Sequence, residues 1–297
     1  MMASKPVVRC ISRRLLLLAG ISLLAGCTLT PEKPATPTPV VAHKPKIALA
    51  LGGGAARGFA HIGVIKMLES QGIVPDFIVG TSAGAVVGSL YAGGYDAYAM
   101  QKIAQQLDEK IFADWTLGGR GLLKGEALQD FINQHLQNRP LEKLNKPFAT
   151  VATNLQTGER VVFRTGDTGM AVRASAAVPG VFQPTQFRGK TYADGGLTSP
   201  VPVQAAREMG ADFVIAVDIS AKPDGQPLDS LSSILWQTTC IMGGVIGKAE
   251  MAGADVVIRP NLPYVKSWDF TARNDAMLEG ERAAQAALPV IRQKLGR

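Results

Sequence analysis

Two short apolar segments, each followed at once by glycine and then by a helix-like pattern, constrain the fold of this chain most strongly. Ile47–Leu51 precedes three consecutive glycines, and residues 77–79 precede the sequence Gly-Thr-Ser-Ala-Gly at 80–84. Small or apolar residues at helical spacing follow in both cases, over 60–71 and 83–92. Repeated strand, tight turn and helix are typical of a parallel sheet covered by helices. We therefore predict a three-layer α/β fold with a mostly parallel central sheet and helices on both faces.

The rest of the chain continues this alternation. Further helices are predicted at 97–110, 126–137 and 275–295, and further strands at 148–153, 160–163, 213–217 and 255–258. The apolar stretch 234–246 contains Trp236 and is most simply interpreted as a buried core helix. A flap that contacts lipid beside the functional site is the alternative.

The N-terminal 45 residues have a different character. Residues 1–26 carry four basic residues and no acid, and their apolar run at 15–24 is shorter than the ~20 residues that span a bilayer. Residues 24–27 read Leu-Ala-Gly-Cys, which resembles the lipobox of bacterial lipoproteins. We predict a lipoprotein signal peptide at 1–26, acylation of Cys27 with chains such as palmitate, and a proline-rich tether over 27–45. An ordinary signal peptide with a chance cysteine is the alternative.

This interpretation implies a location and a domain boundary. Thr28 follows the cysteine, which in Gram-negative lipoproteins favours sorting to the outer membrane. We therefore expect a lipid-anchored protein of the cell envelope, on the periplasmic face of the outer membrane. Residues 46–297 are expected to form the one folded domain.

Composition limits the classes of partner and cofactor. The formal net charge is +7, of which residues 1–26 contribute +4, so the remainder carries only +3 (7 − 4). That value does not suggest nucleic acid as a partner, although it permits weak attraction to anionic headgroups. Neither paired histidines, a cysteine cluster nor a calcium-loop pattern occurs, so no metal or cofactor is expected. Cys240 is expected to be a buried small hydrophobe.

The first glycine-rich segment has the residues of an anion-binding loop. It reads Gly52-Gly53-Gly54-Ala55-Ala56-Arg57-Gly58, between a predicted strand and a predicted helix. Glycines there let backbone N–H groups turn outward at a helix N-terminus, which suits negative charge. A dinucleotide-binding loop is the alternative, but Ala55 stands where its second glycine is needed and no acidic residue ends the second strand.

The second segment, Gly80-Thr81-Ser82-Ala83-Gly84, has the G-x-S-x-G pattern of a nucleophile elbow in its required strand-to-helix context. The simpler alternative is that Ser82 caps the following helix. The usual base for such a serine is histidine, and the chain has three. We place His43 in the tether, expect a structural hydrogen bond for His61 and a solvated position for His135. No histidine follows His135, so the Ser–acid–His order of α/β-hydrolases cannot occur.

The third segment supplies a different base. Asp194 precedes Gly195 and Gly196, and glycines permit a tight turn and the close approach of another backbone. An ordinary Asp-Gly turn is the alternative. In a dry pocket a carboxylate becomes more basic, so Asp194 is predicted to accept the proton of Ser82 while the first glycine loop stabilises the oxyanion.

Taken together, the three segments resemble, in order and spacing, those of bacterial patatin-like phospholipases in the branch related to neuropathy target esterase. The resemblance runs from residue 46 to at least residue 218 and implies a patatin-like fold. It implies a Ser-Asp dyad of Ser82 and Asp194 with an oxyanion hole at Gly53, Gly54 and Ala55. The supporting motif positions that it implies are Gly52, Arg57, Gly58, Gly80, Gly84, Gly195 and Gly196.

Other residues follow from the resemblance as expectations. Arg57 matches the loop arginine of the family and is expected to help hold negative charge near the site. Segment 174–182 is expected to position the Asp194 loop. Ala55 replaces a glycine that many members have, and Ser199 stands where asparagine is common, so one supporting hydrogen bond is expected to differ.

The predicted function is a serine acyl-hydrolase that cleaves phospholipids, lysophospholipids or related long-chain esters through an acyl-enzyme. A non-catalytic envelope lipoprotein that binds lipid or a partner is the alternative from another class. A thioesterase or transacylase is a nearer alternative, because other acceptors can resolve the same acyl-enzyme. The head group, the acyl position and the oligomeric state do not follow from the sequence.

Overall fold

The computed structural model describes residues 44–107, 114, 123–223 and 228–296. Lys44–Arg297 form a compact unit by themselves. The predicted signal peptide, the acylation site Cys27 and the tether up to residue 43 lie outside the described residues.

One mixed sheet forms the centre of this unit. Its described strands are β1 (Ile47–Leu51), β2 (Phe77–Thr81), β3 (Phe148–Asn154), β4 (Arg160–Phe163), β5 (Thr185–Phe187), β6 (Lys190–Asp194), β7 (Phe213–Val217) and β8 (Val256–Ile258). Hydrogen-bonded neighbours follow the path β5-β6-β3-β2-β1-β7-β8, and β4 also pairs with β3. Neighbours from β8 through β3 run parallel, whereas β4 and β6 on β3, and β5 on β6, run antiparallel. The prediction of a mostly parallel sheet is confirmed.

Helices cover both faces of the sheet. They are α1 (Phe59–Ser70), α2 (Ala83–Ala92), α3 (Ala97–Gln106), α4 (Glu126–His135), α5 (Thr168–Ser175), α6 (Val203–Glu208), α7 (Leu231–Met251) and α8 (Arg273–Leu295). Every residue of β1 is buried, because its alternate side chains enter different cores. Leu49 packs in the core that includes α1, α2 and α8, and Ala50 packs in the core that includes α6. The predicted three-layer α/β fold is therefore confirmed. None of the described helices has the length and hydropathy to cross a bilayer.

Strand β3 brings two distant parts of the chain together. Its first half pairs with β2, with Thr81 opposite Val151, and its second half pairs with β6, with Asp194 opposite Ala152. Strand β4 overlaps both pairings, over residues 150–153 of β3, and must therefore occupy the other edge of that strand. Strands β2 and β6 thus approach each other end to end along one edge of β3, and the turns that follow them meet.

The two long helices on one face of the sheet cross in backbone contact. A Cβ atom on Gly63 of α1 would lie 1.8 Å from the carbonyl oxygen of Met277, and one on Gly280 of α8 would lie 2.0 Å from that of Ala60. Only glycine fits at these two positions without moving a helix. The crossing therefore fixes how closely α8 covers α1.

We predict that Gly63→Ala destabilises the protein by about 1–3 kcal/mol, because the added methyl group must push α8 away from α1. The free energy of unfolding in urea measures this effect. Gly244→Ala in α7 is the matched control, since a Cβ there meets nothing within 4 Å and replaces glycine inside a helix. Equal stability of the Gly63 variant and the wild type would contradict the described crossing.

Candidate active site

Ser82 occupies a sharp, strained turn between β2 and α2. Its φ of 53° and ψ of −119° lie in a region that residues other than glycine rarely adopt. A Cβ on Gly80 would lie 2.4 Å from the carbonyl oxygen of Gly84, and one on Gly84 would lie 2.1 Å from that of Leu51. The turn therefore closes only with glycine at both flanking positions. The Ser82 side chain makes no capping hydrogen bond to α2, so helix capping does not explain the motif.

A buried serine that the sequence analysis did not single out holds this turn in place. The N–H of Ser82 donates to the Ser175 Oγ at 2.9 Å, and that hydroxyl donates to the carbonyl of Val151 at 2.5 Å. In the same segment, the carbonyl of Ala177 accepts from the N–H of Asp194 at 2.9 Å. The prediction that residues 174–182 position the Asp194 loop is confirmed, and the segment anchors the serine turn as well.

Asp194 ends β6 and opens a tight turn against β3. The N–H of Gly196 donates to Asp194 Oδ1 at 2.7 Å, whereas Oδ2 has no hydrogen-bond partner within the described residues. A Cβ on Gly195 would lie 2.2 Å from the carbonyl oxygen of Val151, so this glycine lets the turn press against the sheet. Asp194 is 5% exposed, Ser82 is 8% exposed, and both border one cavity. The fold thus brings the two residues together at the end of β2.

Burial changes the acid strength of this carboxyl group. It raises the pKa of Asp194 to about 6, and the nearby Ser82 hydroxyl and the hydrogen bond from the Gly196 N–H offset part of the increase. The Ser82 hydroxyl is near enough to lower the pKa of the carboxyl group, but Oδ2 receives no hydrogen bond within the described residues. Such contacts are often long in a site without substrate and shorten when substrate binds. The unpartnered Oδ2 is therefore positioned to accept a proton.

Two cavities meet at Ser82. The larger, about 850 Å³ including its open mouth, is lined almost wholly by apolar side chains, among them Phe59, Ile62, Val86, Leu90, Met100, Leu128 and Phe131. The smaller, about 510 Å³ including its mouth, borders Asp194 as well as Ser220 and the α7 residues Trp236 and Thr239. A molecule with a long apolar part fits the larger cavity, with its reacting atom at Ser82, where the smaller cavity brings in the Asp194 carboxyl group.

The glycine loop offers two free amides beside Ser82. The N–H of Gly53 donates to the carbonyl of Pro200 at 2.9 Å, so this amide is committed to the fold. The N–H groups of Gly54 and Ala55 donate to no acceptor within the described residues, and both residues border the smaller cavity. Three amides were predicted to form an oxyanion hole. That of Gly53 already donates to Pro200, so the amides of Gly54 and Ala55 remain for an oxyanion. Ala55 has a φ of 51°, a backbone conformation that glycine adopts more readily than alanine.

The remaining residues of the loop fix its position. The Arg57 side chain is buried, and its Nη1 donates to Ser267 Oγ at 3.0 Å, while the N–H of Ala56 donates to the Ser267 carbonyl at 2.9 Å. A Cβ on Gly58 would lie 2.8 Å from that of Ala83, so glycine lets the loop rest on the serine turn. Within the described residues Arg57 borders neither cavity, and its predicted role in holding charge stays a prediction.

Neither described histidine borders the two cavities. His61 is fully buried, its Nε2 donates to the carbonyl of Gly52 at 2.8 Å, and burial lowers its pKa to about 4. The predicted structural hydrogen bond of His61 is confirmed. His135 is half-buried and packs against Phe131 with its Nδ1 on the Phe131 carbonyl at 2.9 Å, so the prediction of a solvated side chain is wrong.

Ser199 connects the serine turn to α7. Its Oγ donates to Glu250 Oε1 at 2.6 Å, and its carbonyl accepts from Thr81 Oγ1 at 2.8 Å. Burial raises the pKa of Glu250 to about 6, although the bonds from Ser199 and Val201 offset part of this. Ser199 thus joins β2 and α7 to the loop that follows the Asp194 turn, through its carbonyl and its hydroxyl.

Several known proteins are similar to this chain in sequence. An uncharacterized NTE family protein of Mycobacterium tuberculosis is 37% identical over 189 residues, which cover 63% of this chain and 52% of that protein. Lysophospholipase NTE1 of Yarrowia lipolytica is 32% identical over 279 residues, which cover 83% of this chain and 20% of that protein. The chain thus spans about half the length of the first relative and a fifth of the second.

A solved structure has the same fold, and a family model shows the family. The ExoU–SpcU complex of Pseudomonas aeruginosa contains a chain with the same fold, with a TM-score of 0.51 and 16% identity over 86% of this chain and 53% of that one. Residues 49–207, just over half of the chain, match the family described as patatin-like phospholipase. The matched region includes both Ser82 and Asp194. This chain belongs to the patatin-like phospholipase family.

Proposed function

We propose that this chain is a serine acyl-hydrolase of lipid esters, in which Ser82 is the nucleophile and Asp194 is the base. One observation carries the proposal: the strained Ser82 and a buried carboxyl group with a raised pKa and an unpartnered oxygen border the same cavity. A pKa of Asp194 near 6 leaves the group ionised at neutral pH and still basic enough to take part in proton transfer.

The proposed chemistry proceeds through an acyl-enzyme. Ser82 Oγ forms a bond to the ester carbonyl carbon as its proton passes to Asp194, and the oxyanion accepts hydrogen bonds from the amides of Gly54 and Ala55. The ester C–O bond then breaks, and the leaving alkoxide takes the proton from Asp194. Water attacks the acyl-enzyme in the same way, giving its proton to Asp194, and the carboxylic acid leaves as Ser82 recovers a proton.

The two cavities support a lipid substrate. The larger, almost wholly apolar cavity suits a fatty-acyl chain, because hydrocarbon gains ~0.8 kcal/mol for each CH₂ removed from water. The smaller cavity suits the alcohol side of the ester, since it carries the polar groups of Asp194 and Thr239. We infer that phospholipids, lysophospholipids or related long-chain esters are the substrates, in line with the name of the family and of the Yarrowia lipolytica relative.

We predict that Ser82→Ala and Asp194→Asn each lower kcat for hydrolysis of a lysophospholipid by about 10³-fold or more. Fatty acid released by the purified chain is the measurement, over a panel of phospholipid and lysophospholipid head groups. Ser220→Ala is the matched control, because Ser220 borders the same cavity and is expected to leave turnover near that of the wild type.

Three results would contradict this assignment. Wild-type turnover in both Ser82→Ala and Asp194→Asn would remove the dyad. Loss of turnover in Ser220→Ala with normal turnover in Ser82→Ala would move the nucleophile to the other serine. A wild-type chain that binds lipids of the panel and hydrolyses none would favour a binding lipoprotein instead.

Burying the base is expected to cost stability at neutral pH. The folded pKa of Asp194 is about 6 and its ordinary value is 3.8, so the folded chain holds this proton more tightly than the unfolded chain. Stability from this group therefore falls as the pH rises from about 4 to about 6, and the cost is complete above that range.

We predict that Asp194→Asn stabilises the chain at pH 7.5, by up to about 3 kcal/mol in the free energy of unfolding, and that the gain shrinks towards pH 4. The amide oxygen can still accept the Gly196 N–H. Urea unfolding at both pH values is the measurement, and Asp130→Asn, at an exposed position of α4, is the control. Equal destabilisation of the Asp194 variant at both pH values would contradict the raised pKa.

We also propose that the chain is a bacterial lipoprotein acylated at Cys27. The support is the Leu-Ala-Gly-Cys sequence at 24–27, which follows a basic segment and a short apolar run. An envelope location at the outer membrane is part of the same proposal.

We predict that Cys27→Ser abolishes incorporation of an alkyne analogue of palmitate in a bacterial host and releases the chain from the membrane fraction. Cys240→Ser is the matched control, since Cys240 is buried in α7 and has no part in the proposed anchor. Unchanged labelling of the Cys27 variant would rule out acylation at that residue.

A further inference from the structure

Helix α7 turns its large apolar side chains away from the protein. Leu231 is 73% exposed and Val245 is 71% exposed. Ile234, Ile241 and Met242, which lie between these two residues in the helix, are each about half exposed. The spacings of three, four and seven residues place these side chains on one face of the helix. The interpretation of 234–246 as a buried core helix is therefore wrong.

The protein-facing side of α7 carries Trp236 and Met251 beside three small residues. Cys240, Gly243 and Gly247 are buried there, and a Cβ on Gly247 would lie 3.3 Å from the side chain of Pro200, in the loop that follows the Asp194 turn. The helix thus has large apolar side chains on its outer face as well as on its inner face, whereas a helix that packs on a core in water presents polar residues outwards. An outer face of this kind indicates a partner that is itself apolar.

Three hydroxyl groups of α7 do not require water on this face. The hydroxyls of Ser233, Thr238 and Thr239 each donate to a carbonyl of their own helix or its N-cap residue, at 2.8, 2.8 and 3.0 Å. No charged residue occurs between Asp229 and Lys248. Hydroxyls that are satisfied within the helix can enter an apolar medium at little cost.

The apolar face borders the candidate active site. Trp236 and Thr239 of α7 line the smaller cavity, and the ring of Trp236 packs against that of Trp268 with centroids 5.4 Å apart. Trp268 is 43% exposed and also lines the larger cavity. Exposed Lys266 lies two residues before it, and exposed Lys248 ends the uncharged part of α7. Tryptophan and lysine at the border of an apolar patch are typical of segments that lie at a membrane surface.

We propose that the outer face of α7, together with Trp268, docks on the surface of a lipid bilayer. The helix lies in the plane of the interface with Leu231, Ile241 and Val245 among the acyl chains, and the adjoining cavities then open towards lipid. A second copy of the chain on this face would close the cavity border with protein. A bilayer on the same face would place lipid beside both cavities, and we therefore choose a bilayer as the occupant. The docking itself does not depend on the proposed hydrolysis.

The test uses residues 44–297, which form a compact unit without the N-terminal segment, so that acylation of Cys27 cannot contribute. Ile241→Asp/Val245→Asp is compared with Leu278→Asp/Val290→Asp, a control pair on α8 whose side chains are each 44% exposed. Flotation measures binding to vesicles of phosphatidylethanolamine and phosphatidylglycerol. Hydrolysis of a soluble short-chain ester is measured in parallel, and sedimentation gives the oligomeric state.

The proposal predicts at least a tenfold loss of vesicle binding for the α7 pair alone, with turnover of the soluble ester unchanged in both pairs. Wild-type vesicle binding by the α7 pair would overturn it. So would dissociation of an oligomer by the α7 pair with vesicle binding intact, because a second copy would then be the occupant. A chain that docks normally yet never hydrolyses the soluble ester would leave the docking in place and remove the proposed function instead.

Discussion

Two strands that meet end to end along one edge of β3 determine where the chemistry of this protein lies. Strand β2 carries Ser82 just beyond its end, and β6 ends at Asp194 from the opposite direction. The serine turn is held by the Ser175 hydroxyl, which is bound in turn to the carbonyl of Val151 on β3. Because the sheet register sets these positions, a residue early in the chain and one more than a hundred positions later share one cavity.

Much of this arrangement could be predicted from local sequence. The apolar strands with glycines at their ends predicted the parallel centre of the sheet, and Gly80 and Gly84 predicted the turn at Ser82, because such a turn leaves no room for side chains. The absence of a suitably placed histidine, together with the Asp-Gly-Gly sequence, predicted that Asp194 is the base for Ser82.

The rest depends on tertiary contacts that no local pattern encodes. Strand β5 has only three residues, and α5 and α6 have eight and six, too few for a clear periodic signal. Ser175 acts through its hydrogen bonds to two segments far away in the chain. The commitment of the Gly53 amide to Pro200 likewise follows from the fold alone. For α7, hydrophobicity predicted removal from water without specifying what would cover the helix, and the core interpretation failed for that reason.

The site concentrates features that cost stability. Ser82 and Ala55 both have positive φ values, and Asp194 is a nearly dry carboxyl group with one unpartnered oxygen. Such features persist where the surroundings over-determine them, and they are found most often at catalytic sites. In this chain the surroundings are the glycine contacts, the Ser175 hydroxyl and the close packing of the turns on β3. Strain, burial and free amides at one point are together more informative than any of the three motifs alone.

A crystal structure of the chain after reaction with a fluorophosphonate tests the central claim most directly, because the adduct mimics the tetrahedral intermediate. The account predicts phosphorus bonded to Ser82 Oγ, with the phosphoryl oxygen ~3 Å from the amides of Gly54 and Ala55 and the Asp194 carboxylate beside the serine oxygen. An unmodified Ser82, or an adduct whose phosphoryl oxygen points away from both amides, would contradict it.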